Sequence, residues 1–321
     1  MSENIYPCRF CSNVDNKIIF PTTDIFENKY FICKCNICHA YFLTPPPDDS
    51  LLNKAYDPSY YGEKEEKFIS IFEKVLDYFR KKRAKRVSLH LNNGAKVLDI
   101  GCGNGRFLSS LGNFGKFELF GIEMEGNSAN RASRIPQINL KIGALKKFDF
   151  PPETFEAITM FHVFEHLTHP KETLENIKSL LKKDGIFVVS FPNISSFQSI
   201  VFKGEWLHLD PPRHLIFFSP KDFKLLLKQD GFELIQESYI STEQNPFGMV
   251  QSILNIFTKK REILFELFKE NLSYTKGISM LSIYLQIGFF IFTFPIFIVT
   301  DVFLGLFKKG ATVEFIFKKI N

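Results

Sequence analysis

The sequence predicts an α/β domain built on a doubly wound, mostly parallel sheet. Three observations predict it. Short apolar runs alternate with helical stretches across 93–242, a glycine-rich turn follows the first run, and the next run ends in an acid about 20 residues further on. The first strand is 96–100, with the turn behind it and a helix from Arg106. The second strand is 119–123, the third 139–142 and the fourth 157–161. A helix over 171–183 is closed by Asp184-Gly185, and 186–191 is the fifth strand. Ser219-Pro220 caps a helix that ends near Gly231, ahead of a sixth strand at 232–239. Strands that alternate with helices give parallel neighbours covered on both faces.

A chain of 321 residues suggests about two domains, and 45% hydrophobic content supplies a sizeable core. The expected division is 1–47 as a Cys-rich segment, 48–92 as linker and helix, 93–242 as the α/β domain, 243–310 as an apolar helical insertion, and 311–321 as a last strand. In the second segment Phe68, Ile71, Phe72, Val75, Leu76 and Phe79 recur at helical spacing. The net charge of +5 is modest. Its clusters at 81–86, at 259–261 and at the C-terminus read as solvated helix faces, with contact to an anionic membrane surface or nucleic acid as the sharper reading; for the chain as a whole no nucleic-acid partner is expected. Residues 1–4 lack the basic start and apolar stretch of an export signal, so a cytoplasmic protein is expected.

The glycine turn reads Val97-Leu98-Asp99-Ile100-Gly101-Cys102-Gly103-Asn104-Gly105-Arg106-Phe107-Leu108. Gly101, Gly103 and Gly105 permit a tight turn and close approach of a ligand. Glu123, at the end of the next strand, can accept hydrogen bonds from both hydroxyls of a ribose. A nucleoside-containing ligand follows. The dinucleotide fingerprint would need Gly or Ala where Arg106 stands. Asp99 also argues against NAD, because an acid there suits a ligand with a positive charge, such as the amino group or sulfonium of S-adenosylmethionine (SAM).

With these residues the chain resembles class I SAM-dependent methyltransferases over about 55–240. The glycine turn is similar to that family's first motif, Glu123 to its ribose-binding acid, 155–167 to its fourth-strand motif and 184–190 to its fifth-strand turn. The resemblance implies a Rossmann-like sheet of seven strands, closed by a late strand that 312–317 would supply. It also implies that Asp99, Gly101, Gly103 and Glu123 bind SAM, with Ile100, Cys102, Gly105, Met124 and Phe161 around them and the adenine near Ala144 and Leu145. Relatives often carry an acid where Ala144 stands.

Methyl transfer needs in-line positioning and, for a hydroxyl or amine acceptor, a base. His162, His166 and His214 are the candidates. His162, Glu165 and His166 stand at the carboxyl end of the fourth strand, where chemistry gathers in such sheets, although Glu165 and His166 could equally hold the loop. The stretch resembles the Glu-x-x-Glu-His run of ubiquinone-pathway O-methyltransferases, with His162 in place of the first acid, so no catalytic metal is expected. The stretch 206–215 offers Trp206 as an aromatic wall, Arg213 as an anion contact and His214 as a base, against the alternative of a packed loop with Arg213 in a salt bridge.

Five of the six cysteines precede residue 40. Cys8-x-x-Cys11 and Cys35-x-x-Cys38 are paired thiolate arms for a structural, tetrahedral Zn²⁺, with Cys33 spare and His39 able to replace a thiol. The segment resembles the zinc-ribbon-like leader of several methyltransferases of surface-glycan and deoxysugar pathways.

Residues 277–300 carry no charge and satisfy the length of a membrane span. A last strand at 312–317 would require both ends of the insertion on one side, and Pro295 interrupts the stretch, so a re-entrant or in-plane helical hairpin is expected, preceded by a basic amphipathic helix over 253–268. Membrane contact through 253–308 would place the protein peripherally on the cytoplasmic face, near a small-molecule or lipid-linked acceptor; a hydrophobic subdomain or dimer interface is the alternative. The reading is a SAM-dependent O-methyltransferase of a glycan, lipid-linked sugar or quinone-like acceptor. C-methylation of a nucleotide-linked deoxysugar and a non-catalytic SAM-binding scaffold are the alternatives.

Overall fold

The structure is a computed structural model that describes residues 6–56, 70–269 and 271–320. Phe68 of the expected apolar stripe lies outside the described residues. In chain order the first elements are β1 (Asn16–Thr23), β2 (Lys29–Cys35), β3 (Tyr41–Thr44), α1 (Asp49–Tyr56) and α2 (Ser70–Ser88). Then come β4 (Lys96–Ile100), α3 (Arg106–Leu111), β5 (Glu118–Glu123), α4 (Asn127–Ala132), β6 (Ile138–Ile142) and β7 (Phe155–Phe161). They are followed by α5 (Pro170–Leu180), β8 (Leu181–Pro192), α6 (Phe197–Phe202), β9 (Ile216–Phe217), α7 (Pro220–Gln229) and β10 (Phe232–Ser238). The chain closes with α8 (Asn245–Phe257), α9 (Ile263–Phe268), α10 (Leu272–Thr275), α11 (Met280–Leu306) and β11 (Thr312–Lys319).

The chain forms two compact units. The second comprises Ile71–Phe191, Phe223–Glu237 and Glu314–Asn321. It holds a seven-stranded sheet in the order β10-β11-β8-β7-β4-β5-β6. β4 pairs in parallel with β5 on one side and β7 on the other, so the strand order reverses at its carboxyl end. Ala157, Ile158, Phe187 and Val188 are fully buried as neighbours along their strands, the pattern of a sheet covered on both faces. Ala84 and Val87 of α2 join Val97, Leu108, Val188 and Ile316 in its core.

One boundary differs from expectation. α5 ends at Leu180, and Leu181 already pairs with Phe155. The strand bulges between Leu181 and Ile186, with Asp184 at φ 64°, and the missing side chain of Gly185 avoids the Lys182 carbonyl, 2.9 Å from where a Cβ would sit.

The first unit comprises Met1–Ser70, Pro192–Asp222 and Ser238–Val313. Its four-stranded antiparallel sheet runs β1-β2-β3-β9, so Ile216 and Phe217, just past the 206–215 stretch, pair with Phe42 and Tyr41. Trp206 is fully buried here among Ile32, Leu43 and Met249.

The apolar insertion departs from expectation twice. α11 is one 27-residue helix that runs through Pro295, not a hairpin. Proline removes one N–H from a long ladder, and Phe290, Phe294 and Phe297 on either side of it pack beside Val250 and Leu254 of α8, so the chain is never forced to reverse. The stretch 253–268 is two helices broken at Glu262, at φ 55°, and its Arg261 is buried at 7% exposure, with Lys269 just beyond at 2%. Those cations are drawn inward by Glu266 and a backbone carbonyl, so they do not line an interfacial helix face.

Candidate functional site

β4 delivers its backbone into the glycine turn. Gly101, Gly103 and Gly105 adopt φ of 72°, 57° and 74°, a region that only glycine enters without strain. The N–H groups of Gly101 and Cys102 both donate to the Ile122 carbonyl, at 2.8 and 3.0 Å, which ties the turn to the end of β5. A Cβ on Gly101 would lie 2.3 Å from Val163 Cγ2, whereas one on Gly103 would meet nothing within 4 Å. The middle of the turn therefore faces open space at the reversal of strand order.

Two carboxylates border that space. Glu123 turns toward the turn, with Oε2 accepting from Gly103 N at 2.7 Å and Oε1 from Met124 N at 3.1 Å. Asp99 is 3% exposed and accepts from Thr159 Oγ1 at 2.7 Å. Burial pushes Asp99 up to about 7; the Thr159 hydrogen bond opposes the rise, the Glu123 charge adds to it, and the Arg83 charge opposes it. Burial raises Glu123 as well, against the pull of the two N–H groups. Two acids that burial makes reluctant to ionise suit a ligand that brings its own cation and hydroxyls, so the residues present fit SAM.

Of the other expected cofactor contacts, Ile100 and Cys102 are buried and Met124 is exposed. Ala144 and Leu145 follow β6 in a bend where Gly143 N donates to the Glu123 carbonyl at 2.8 Å. The Phe161 ring packs edge-on to Phe107 at 4.8 Å, under the Arg83 guanidinium at 4.7 Å. Arg83 and Thr159 were not singled out from the sequence. Arg83 lies inside a basic run expected to be solvated, yet it also faces Glu314 at 3.5 Å. Thr159 is a lone hydroxyl in an apolar strand, a signal that was available. Arg106 pairs with Asp77 of α2 at 3.1 Å.

β7 ends in a second cluster. His162 adopts φ 55° and donates its backbone N–H to the Ser190 carbonyl at 2.9 Å. Its Nδ1 lies 3.3 Å from Oε1 of Glu165, a residue 1% exposed, and Glu165 is also within 4.8 Å of a ring nitrogen of His166. Val163, next to His162, is the side chain that touches the Gly101 position, so this cluster and the glycine turn share a wall.

His214 belongs to the first unit. Its Nδ1 is 2.9 Å from the His208 carbonyl and its Nε2 is 3.6 Å from Asp210. Two features of the 206–215 stretch are corrected. Trp206 is sealed in the core and offers no exposed wall, and Arg213, 4% exposed, is engaged by Asp210 through Nε at 3.0 Å. The loop turns back on itself, so the nearest acid to that arginine is three residues away.

In the same unit the four expected cysteine ligands converge. Cys8 Sγ is 3.5 Å from Cys38 Sγ, Cys11 Sγ is 3.6 Å from Cys35 Sγ, and all four lie within 4.8 Å of one another. Phe10 N and Ile37 N each donate to a cysteine sulfur at 3.4 Å, as thiolates invite. This donor set fits one tetrahedral Zn²⁺. Cys33 and Cys102 stand apart and are buried.

Residues 72–237 match the family profile of a methyltransferase domain. Over 156 residues the chain is 28% identical to a ubiquinone biosynthesis O-methyltransferase of Glaesserella parasuis serovar 5 (strain SH0165), covering 44% of this chain and 66% of that protein. A malonyl-acyl-carrier-protein O-methyltransferase of Paenibacillus sp. (strain JDR-2) is 25% identical over 53% of this chain and 67% of its own length. The first of these relatives is thus matched over just under two thirds of its length. Among solved structures, a Galdieria sulphuraria protein assigned as a sarcosine dimethylglycine methyltransferase superimposes with a TM-score of 0.50 at 15% identity, over 85% of this chain and 98% of that one, a likeness of fold.

Proposed function

We propose, on the premise that this chain belongs to the methyltransferase-domain family and carries a SAM-dependent methyltransferase domain, that it methylates a hydroxyl oxygen of a glycan, lipid-linked sugar or quinone-like acceptor. The observation that carries the reading is His162 at the carboxyl end of β7, with Nδ1 3.3 Å from buried Glu165. A carboxylate on Nδ1 keeps the proton there and leaves Nε2 as the accepting nitrogen. The O-methyltransferase names of the relatives support oxygen as the acceptor atom.

SAM, when bound, supplies a methyl group on a sulfonium, which leaves as a neutral thioether and needs no acid. The residues of the chain do the rest. Asp99 would offer a carboxylate to the cationic end of the cofactor and Glu123 would accept from its ribose hydroxyls, while the turn at Gly103, where an added Cβ meets nothing within 4 Å, would leave room for it. Ala144 and Leu145 would border the adenine, and Phe161 would line the cofactor site. His162 Nε2 takes the proton of the acceptor hydroxyl as the oxygen gains its methyl, and Glu165 stabilises the resulting imidazolium. His166 and His214 are the further candidates for that proton. Cys8, Cys11, Cys35 and Cys38 hold a structural Zn²⁺ that fastens the leader. A cytoplasmic protein at the inner face of a membrane would meet a lipid-linked acceptor there.

Radiolabelled SAM, offered with lipid and glycan extracts, tests the reading. His162→Gln should lower the rate about 100-fold or more while SAM affinity by calorimetry stays within about twofold. An undiminished rate would remove His162 as the base. Zinc should be found at one per chain and be lost in Cys8→Ser; protein purified without chelator and free of metal would refute the site.

A further inference from the structure

The outward side of α11 is turned the wrong way for water. No Asp, Glu, Lys, Arg or His lies between 277 and 300. Leu281, Leu285, Phe292, Ile296, Val299 and Phe303 follow one another at helical spacing and are all exposed, Phe292 at 79% and Val299 at 70%. The polar residues Gln286 and Asp301 are buried instead. Asp301 accepts from Ser241 N at 3.0 Å and from Asn245 Nδ2 at 2.7 Å, which fixes this end of the helix to the start of α8. A helix on a water-facing surface shows the opposite arrangement.

The apolar face extends beyond α11. α8 runs antiparallel beside it, since its Asn245 meets Asp301 while its Phe247 ring meets Phe290 at 6.0 Å. α8 ends in exposed Ile256 and Phe257. α6 begins where Phe197 N donates to the Lys309 carbonyl at 3.0 Å, just past α11, and exposes Ile200 and Val201. Exposed lysines border these elements: Lys203 after α6, Lys259 after α8, Lys276 before α11, and Lys308 and Lys309 after it.

We infer that this face seats the protein on an anionic lipid bilayer, with α11 lying in the plane of one leaflet. At about 1.5 Å per residue the 27 residues of α11 are long enough to cross a bilayer. Packing along α8, with Asp301 held at one end and Phe290 in the middle, keeps the helix against the unit and leaves one side for lipid. The lysine border meets phosphate headgroups as the apolar stripe enters the acyl region, the arrangement of an in-plane membrane helix. A second copy fits less well, because a twofold contact would set this lysine border against itself. The inference gives the peripheral location proposed above its surface and its lipid, and it rests on that part of the reading alone.

The test is flotation of the full chain with phosphatidylcholine vesicles, with and without phosphatidylglycerol. The protein should float with the anionic vesicles, and raising the salt should weaken the association. The triple variant Leu285→Glu, Phe292→Glu, Val299→Glu should bind about tenfold less or weaker still, with SAM binding intact as evidence that it is folded. Lys308→Glu with Lys309→Glu should reduce the preference for phosphatidylglycerol and spare SAM binding. Wild type that ignores every vesicle overturns the inference, as does a dimer that the triple variant turns into monomers. Vesicle binding by a wild type that fails to bind SAM would remove the catalytic reading and leave this one standing.

Discussion

Glu266 in the first unit and Asp99 in the second are buried carboxylates put to opposite uses. In the first unit Glu266 and Lys269 are both sealed from solvent, 2.8 Å apart, and Asn271 donates to the second Glu266 oxygen at 2.7 Å. Half-buried Asp210 likewise pairs with buried Arg213. In the second unit Asp99 is held by a hydroxyl and Glu123 by two backbone N–H groups, with the Arg83 charge acting on Asp99 from farther away. A buried acid matched by a buried cation is architecture. One held by neutral donors alone, beside open space, is poised for a ligand that brings the missing charge.

The largest expected effect tests the architectural side. Glu266→Ala leaves Lys269 buried without its partner, at a cost of about 3–5 kcal/mol. The fluorescence of Trp206, the only tryptophan of the chain and fully buried in this unit, reports the loss in a denaturant titration. Replacing Glu266 and Lys269 together by methionine should cost much less, because no charge is then stranded. If Glu266→Ala leaves the midpoint unchanged, the contrast between the units is wrong.

A smaller effect sharpens the ligand side. Gly101→Ala meets a left-handed backbone worth about 1–3 kcal/mol and a Cβ 2.3 Å from Val163. Val163→Ala in the same chain should restore the part due to the clash but not the part due to φ. Gly103→Ala meets no neighbour within 4 Å, so it should cost the fold less and SAM affinity more. Thermal melts with and without SAM separate the two losses.

How much of this could be read from the sequence follows from how local each cause is. Strands such as 96–100 and 157–161 are apolar runs, and the glycine turn is a contiguous motif, so their places were legible. The pairing of Ile216 and Phe217 with β3 was not, since a two-residue strand is defined by a partner some 175 positions away. The inward turn of Arg261 and Lys269 was hidden for the same reason: their surroundings include Thr22, Gly204 and Arg213, all remote in sequence. Pro295 misled because proline reads locally as a breaker, while packing on α8 decides whether the chain turns. The convergence of four thiols was legible because each arm is only four residues long and the ligand chemistry supplies the rest.

The smallest effect is also the most specific to the poised acid. Burial holds Asp99 up at about 7, so near neutrality the free protein keeps a proton there for part of the time. An unfolded aspartate titrates near pH 4. The folded protein therefore binds this proton more tightly than the unfolded chain does, and the contribution of Asp99 to ligand-free stability is greatest at acid pH and falls as the pH rises through 7. A cationic cofactor reverses the balance, because it favours the ionised acid and expels the proton on binding. SAM affinity should then rise with pH, by up to about tenfold per unit below neutrality, and level off above it. Calorimetry in buffers of different ionisation enthalpy should show the released proton directly. Asp99→Asn should flatten the profile, weaken SAM at alkaline pH and leave the ligand-free melt as high as wild type or higher. A wild-type affinity that is level across neutrality, with no proton released, would mean that Asp99 does not face the cationic end of the cofactor, and the two kinds of buried acid would no longer differ in purpose.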